Sequence, residues 1–306
     1  MRLLATKPRP FLKWAGGKTR LLEQLARHLP REMKQGRIRR YIEPFVGGGA
    51  MLFYMASVYQ VPELVICDVN DELTLCYRTL RDDVEAVIDC LDELHRRYHA
   101  AAPAEREQMF YAIREQFNAT RPQIDFRHFS PVWIERTAQI IFLNHTCFNG
   151  LFRLNSRGDF NVPFGKYKNP GIYDTENLHA VSHVLQDTTI ISGHFTVSEQ
   201  FVTPDSFVYF DPPYRPISKT SSFTSYSKLD FNDEDQRQLA HFFRRLHTTG
   251  AKLMLSNSDP KNTNPEDDFF EVLYDGFHIH RVLAARAINA RGDKRGEISE
   301  LVITNY

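Results

Sequence analysis

Asp211, Pro212, Pro213 and Tyr214 stand directly after the apolar run Ser206–Phe210, and together they could act on a planar amine. The acid offers a carboxylate, the two prolines lack an N–H and offer only carbonyls, and the tyrosine offers a flat ring. At the carboxyl end of a buried strand such a corner lies where open α/β sheets bind ligands. The same residue types also make an ordinary strand-ending turn. The tetrapeptide gains meaning from what accompanies it in the chain.

Gly47, Gly48 and Gly49 follow a short apolar segment and let the backbone approach a ligand closely. Asp68 lies 21 residues beyond Gly47 and ends the next apolar run. An acid at that distance is placed to bind the hydroxyls of a ribose. Three consecutive glycines are not the G-x-G-x-x-G dinucleotide fingerprint, so a nucleoside cofactor fits better than a dinucleotide. A tight turn beside an unrelated acid would look the same. Trp14, Gly16, Gly17, Lys18 and Thr19 suggest a phosphate loop, but that motif needs glycine where Leu12 stands. What remains is a glycine turn with an aromatic and two lysines, Lys13 and Lys18, opening a helix expected over Arg20–Leu29.

These groups need a scaffold to bring them together. Strands are expected at Arg39–Glu43, Glu63–Asp68, Thr188–Ser192, Phe207–Asp211, Ala251–Ser256, Phe277–Ala284 and Ile298–Thr304, with a helix over Asp71–Leu80. Strand, glycine turn, helix, strand and acid in that order make a nucleotide-binding half-unit. From Asp82 to Asn144 the chain turns helical and charged, and Asn149–Pro170 has loop or hairpin character. The expected architecture is one α/β sheet domain, residues 1–81 and 181–306, interrupted by a mostly helical insertion at 82–180.

At 306 residues, with 42% hydrophobic and 25% charged residues, the composition is that of a globular protein. No stretch has the length of a membrane span, and the N-terminus lacks a signal-peptide core. Cys67, Cys76, Cys90 and Cys147 show no C-x-x-C pairing and are expected to be reduced cytoplasmic thiols, with no metal site. Net charge is zero, yet residues 1–40 carry twelve Lys/Arg against Glu23 and Glu32. Residues 60–110 carry twelve acids against five bases. Such asymmetry suggests one basic face and one solvated acidic face.

Four segments carry a resemblance: Phe11–Lys18, Glu43–Gly49, Phe148–Gly165 and Asp211–Tyr214. In this order the chain resembles the Dam-type, α-group DNA adenine-N6 methyltransferases (D12 class), from about Pro10 to Tyr306. The resemblance implies a Rossmann-like S-adenosylmethionine-dependent methyltransferase sheet, with the insertion as target-recognition domain. Trp14, Lys18, Glu43, Phe45, Gly47, Asp68 and Asp211 would border the cofactor. Asp211 and the Pro212 carbonyl would accept the two amino hydrogens of an adenine and free its lone pair. The methyl group would pass directly, without a covalent enzyme intermediate. Tyr214 would stack on the base after it is flipped from the duplex, and Arg215–Phe231 would form a loop closing over it. The segment Asn149–Tyr167 would be the DNA-reading hairpin. Arg153 is expected on a guanine edge, Phe148 as a wedge, Lys166 and Lys168 on phosphates. Lys13, Asn149, Asn161 and Pro163 complete that DNA-facing set.

One departure stands out. Relatives often carry an acid after the strand preceding the Asp-Pro-Pro-Tyr strand, whereas this chain has Ser192, Gly193, His194 and Phe195. Phe195 could still pack against the base, and His194 reads as structural. A recognition site containing GAT, with GATC foremost, is the expectation from the hairpin. The enzyme is expected to act as a monomer on duplex DNA in the bacterial cytoplasm, at the nucleoid. Two questions stay open: a separately acting restriction endonuclease as counterpart, and the full site. A cytosine-N4 enzyme, a glutamine or RNA methyltransferase, and a non-catalytic DNA-binding regulator remain the alternatives. Asp at 211, rather than Ser or Asn, favours adenine.

Overall fold

In the computed structural model, residues 6–155, 157–216, 231–285 and 297–306 are described. Seven strands form one sheet: β1 Arg40–Glu43, β2 Glu63–Asp68, β3 Thr188–Ser192, β4 Ser206–Phe210, β5 Lys252–Ser258, β6 His278–Ala285 and β7 Glu297–Thr304. Each expected strand is found, with ends moved by at most two residues. Their order is β3-β2-β1-β4-β5-β7-β6. The first five run parallel, and β7 is antiparallel to both β5 and β6. Chain order reverses between β1 and β4, which register with Ile42 opposite Val208. A crevice at the carboxyl ends of the strands is expected at such a switch point.

The strands are apolar on both faces because helices cover both. Along β4 every residue is buried, and alternate side chains enter different cores. Tyr41, Ile66, Phe207 and Tyr209 point into one cluster. Ile42, Val65, Val208 and Phe210 point into the other. Each fully buried Leu, Val or Phe contributes roughly 1.5–3 kcal/mol of burial. The second face is closed by helix Asp233–His247, which buries Leu239, Phe242, Phe243 and Leu246 against the sheet. Asn232 caps it, accepting from the backbone of Glu234 and Asp235.

On the first face the helices are α1 Leu22–Arg27, α2 Arg31–Lys34, α3 Ala50–Tyr54, α4 Asp71–Asp82, α5 Val84–Ala100, α6 Pro103–Thr120, α7 Val132–Thr146 and α8 Thr175–Gln186. The sheet-covering helix Asp233–His247 is α9, and Phe269–Leu273 is α10. The expected helix over Arg20–Leu29 is shorter, ending at Arg27, with Pro30 three residues beyond.

The insertion expected at 82–180 falls between β2 and β3. Its outer limit lies inside α8, which packs on α4 and continues into β3. The apolar core also runs unbroken from the sheet into α5, α6 and α7, through Tyr98, Phe110 and Phe117. One ion pair pins this layer. Arg136 of α7 places Nε 2.7 Å and Nη2 2.6 Å from the two carboxylate oxygens of Glu72 in α4. Both residues are fully buried.

The hairpin expected in Asn149–Pro170 forms without extended strands. Antiparallel bridges pair Cys147 with Phe164 and Leu154 with Phe160. Asn155 closes the tip, where its Oδ1 accepts from the backbone of Arg157 and Asp159. No described helix is long and apolar enough to cross a membrane.

Candidate active site and DNA-facing hairpin

The carboxyl ends of β1, β2 and β4 gather the residues singled out in the sequence. Glu43 ends β1, Asp68 ends β2, and Asp211 follows β4. Lys18, from the turn before α1, reaches in from the side. Its Nζ lies 2.9 Å from Oδ1 of Asp211 and donates to the carbonyl of Gly16 at 2.7 Å. Lys18 is only 5% exposed. The same ammonium sits 4.4 Å from the ring centroid of Tyr214, over its π face. Burial pushes the Asp211 carboxyl above the usual carboxylate range. The Lys18 charge opposes that rise, and Glu300 adds to it.

The glycine turn is closed over by Trp14. Gly47 has φ +48°, and a Cβ there would lie 2.9 Å from the indole of Trp14. A Cβ on Gly48 would lie 3.0 Å from Cβ of Trp14. No side chain fits, so Trp14 packs directly over the bare backbone. Asp68 fastens this turn. Its Oδ2 accepts from the Gly47 N–H at 3.0 Å, and its Oδ1 from the Asn70 N–H at 2.9 Å. Tyr77 adds a bond to the Gly47 carbonyl at 2.9 Å. Burial raises the Asp68 carboxyl, and the backbone N–H groups of Asn70, Gly47 and Val69 lower it. With three N–H groups on its two oxygens, the carboxylate keeps about one lone-pair position for a ligand hydroxyl.

Glu43 is 2% exposed and accepts from the Tyr41 hydroxyl at 2.7 Å. Burial pushes its carboxyl well above the usual range, with the Tyr41 bond opposing and the Asp211 charge reinforcing. Phe45 packs against Phe195 and Phe231, with ring centroids 5.3 and 5.7 Å away. Phe195 itself is 4% exposed and wedged among Phe45, Phe231 and Phe242. The expectation that it packs on a base is therefore replaced by a core role. His194 contacts Thr196 at 2.9 Å and lies at the surface.

The corner after β4 is fixed by residues that sequence reasoning missed. Gln236 of α9 donates to the Pro213 carbonyl at 3.1 Å. Asn257 of β5 accepts from the Arg215 N–H at 3.1 Å and donates to Gln236 at 3.1 Å. Both amides are fully buried. Tyr214 donates its hydroxyl to Glu300 of β7 at 2.6 Å. Arg215 is gripped by Asp233 and Asp267, each at 2.8 Å. Among the described residues no donor meets the Pro212 carbonyl. The only sequence signal for this support was a buried amide in an apolar strand or helix. The loop expected over Arg215–Phe231 lies, from residue 217 to 230, outside the described residues.

In the hairpin, Arg153 places Nε 2.6 Å from Oδ1 and Nη2 3.3 Å from the backbone carbonyl of Asn161. Phe148 is 52% exposed, and its N–H donates to the Pro163 carbonyl at 2.8 Å. Asn149 and Lys166 both adopt positive φ, +56° and +53°. Lys13 packs on Gly150 and over the Tyr167 ring, 5.3 Å from its centroid. The hairpin meets the glycine-turn region where Phe152 stacks on Trp14, with centroids 5.4 Å apart.

Among the described residues no cluster of His, Cys, Asp or Glu could hold a metal ion. Burial pushes the thiols of Cys67 and Cys147 up to about 12 and about 11. That shift disfavours the thiolate form in both.

Comparison with known proteins bears on this geometry. The family model described as D12 class N6 adenine-specific DNA methyltransferase matches residues 14–288. The chain is 49% identical to the type II methyltransferase M.MjaIII of Methanocaldococcus jannaschii, covering 97% of this chain and 99% of that protein. It is 38% identical to the type II methyltransferase M1.LlaDCHI of Lactococcus lactis, covering 97% and 95%. It is 33% identical to the DNA adenine methylase of Vibrio cholerae, again covering 97% and 95%.

Proposed function

The chain belongs to the D12 class of N6 adenine-specific DNA methyltransferases, and on that premise we propose how its residues carry out the reaction and which DNA it reads. The sheet is the S-adenosylmethionine-dependent methyltransferase α/β sandwich, and the substrate is DNA. Residues 82–180 serve target recognition, and the remainder carries catalysis. S-adenosylmethionine would lie at the strand ends that carry Glu43, Asp68 and Asp211, beside the glycine turn that Trp14 covers. It supplies a methyl group already activated as a sulfonium. Trp14, Lys18, Glu43, Phe45, Gly47, Asp68 and Asp211 border it, and Asp68 would accept from its ribose.

The target is the amino group of an adenine flipped out of the duplex, at a cost of a few kcal/mol in stacking and pairing. Asp211 and the Pro212 carbonyl accept its two hydrogens. This favours a more tetrahedral nitrogen and frees its lone pair, so positioning supplies much of the rate. Lys18 favours the ionised form of Asp211 against the burial that opposes it. Tyr214 stacks on the extruded ring. The observation that carries this reading is the Asp211 carboxyl paired with Lys18, beside a Pro212 carbonyl that meets no donor among the described residues, on a corner held by Gln236 and Asn257.

Arg153 reads a guanine edge, with its fork aligned by Asn161. The site contains GAT, with GATC as the first candidate. Phe148 fills the gap left in the stack. Lys13, Asn149, Asn161, Pro163, Lys166 and Lys168 line the same face. The enzyme acts as a monomer on the DNA of a bacterial cytoplasm. The type II names of two relatives support a place beside a separate restriction endonuclease.

The test is expression in a methylation-free bacterial host, with modified bases mapped by single-molecule sequencing. N6-methyladenine in one short motif, absent with Asp211→Ala, is the expected outcome. N4-methylcytosine would overturn the base assignment, and activity surviving in Asp211→Ala would remove that residue from catalysis.

A further inference from the structure

Asn144 ends the apolar run Ile140–Leu143 of α7 and is fully buried. Its amide is spent on two separate segments. Oδ1 accepts from the Lys13 N–H at 2.8 Å. Nδ2 donates to the Lys13 carbonyl and to the Gly150 carbonyl, both at 3.0 Å. The first segment leads directly into Trp14 and Lys18. The second opens the hairpin that carries Phe148, Asn149 and Arg153.

Neighbouring contacts run along the same seam. His145, the next residue of α7, faces the Phe11 carbonyl at 3.0 Å and the Gly171 carbonyl at 2.8 Å. Trp14 and Phe152 stack nearly parallel across it, 19° apart. Gly150 has φ +61°, and a Cβ there would fall 2.2 Å from Cδ of Lys13. The two segments therefore touch backbone against side chain, and one amide is hydrogen-bonded to both. Neither can move alone without leaving a buried N–H or carbonyl unpaired.

We propose that Asn144 is a positioning residue that couples occupation of the cofactor pocket to engagement of DNA by the hairpin. The proposal rests on the reading above, in which Trp14 and Lys18 border S-adenosylmethionine and the hairpin reads DNA. Coupling is reciprocal: DNA on the hairpin must tighten the cofactor pocket by the same factor that the cofactor tightens DNA.

The experiment measures S-adenosylhomocysteine affinity of the full chain by calorimetry, without and with saturating cognate duplex. The parent is expected to bind at least about 5-fold tighter with duplex, the low end of typical coupling. Asn144→Ala should bring that ratio to within about 2-fold of unity. Asn144→Asp keeps the acceptor for Lys13 but loses both donated bonds, and should do the same. A merely structural role would lower the thermal midpoint and leave the ratio intact. Phe152→Leu loosens the same seam with the amide in place, so it should lower the ratio even if the Asn144 variants fail to fold. A parent ratio of one, or an unchanged ratio in folded variants, overturns the coupling. Trp14→Phe and Arg153→Ala are the controls. If neither alters ligand affinity or site preference, the reading of pocket and hairpin fails, and the proposal fails with it.

Discussion

Lys18 and Asp211, from segments far apart in the chain, form an ion pair with Nζ 2.9 Å from Oδ1, inside a pocket that leaves Lys18 5% exposed. The pair sets a positive charge against the burial that favours the protonated form of this carboxyl. Without a compensating charge the desolvated acid would hold its proton more readily, and an amino group would meet a neutral, weaker acceptor in place of a carboxylate.

Replacing Lys18 by Met should therefore move the acid limb of the pH–rate profile upward. The sign follows from the balance of causes: burial raises the Asp211 carboxyl, Lys18 lowers it, and loss of Lys18 leaves the rise unopposed. More of the enzyme is then protonated at a given acidic pH, and activity recovers only at higher pH. Single-turnover rates followed from acidic to basic pH provide the measurement. An unshifted limb would show that Lys18 does not set the Asp211 charge.

Tyr214 and Glu300 should behave as one unit. The hydroxyl donates to the carboxylate at 2.6 Å, and hydrogen bonds to charged groups contribute about 1.5–3 kcal/mol. Tyr214→Phe and Glu300→Gln should each slow transfer by roughly 10-fold, about 1.4 kcal/mol, by loosening the ring that stacks on the base. The double variant should be little worse than either single one. Full additivity in this cycle would mean that Glu300 does not aim Tyr214.

Arg153→Ala should cost about 1–3 kcal/mol of discrimination at one base position. Asn161→Ala should relax the same position less, because it removes one acceptor that holds the fork and leaves the guanidinium and the backbone carbonyl in place. Methylation of duplexes with single substitutions reads both. Unchanged preference in Arg153→Ala would take it out of the base-reading set.

The buried pair in the helical layer makes a stability prediction. Arg136→Met strands Glu72, and breaking such a pair costs about 3–5 kcal/mol. Arg121, 3.2 Å from the same carboxylate, should keep the loss near the lower figure. Glu72→Leu combined with Arg136→Met should recover much of it, since no buried carboxylate remains. Urea unfolding tests both, and a single variant within about 1 kcal/mol of the parent would contradict the pair's assigned role.

Much of this protein was determined by the sequence alone. The seven strands are legible because the runs are short, apolar and bounded by turn residues, and that signal is local. The glycine turn, Asp68 and the Asp211–Tyr214 corner are legible for the same reason: each is a contiguous backbone device at a strand end. Tertiary structure decided which polar group meets which. Nothing in the chain near Asp211 names Lys18, nothing near Tyr214 names Glu300, and Asn144 reads as one amide after four apolar helix residues. The hairpin is equally non-local, held by two isolated bridges and by contacts with Trp14 and Lys13 rather than by strand propensity. Phe195 was misjudged for the same cause, since its burial depends on Phe45, Phe231 and Phe242 arriving from three other segments. Local pattern specifies elements through backbone geometry and side-chain period. Partners are chosen by the sheet order and the packing of helices on it, which bring distant residues within hydrogen-bonding reach.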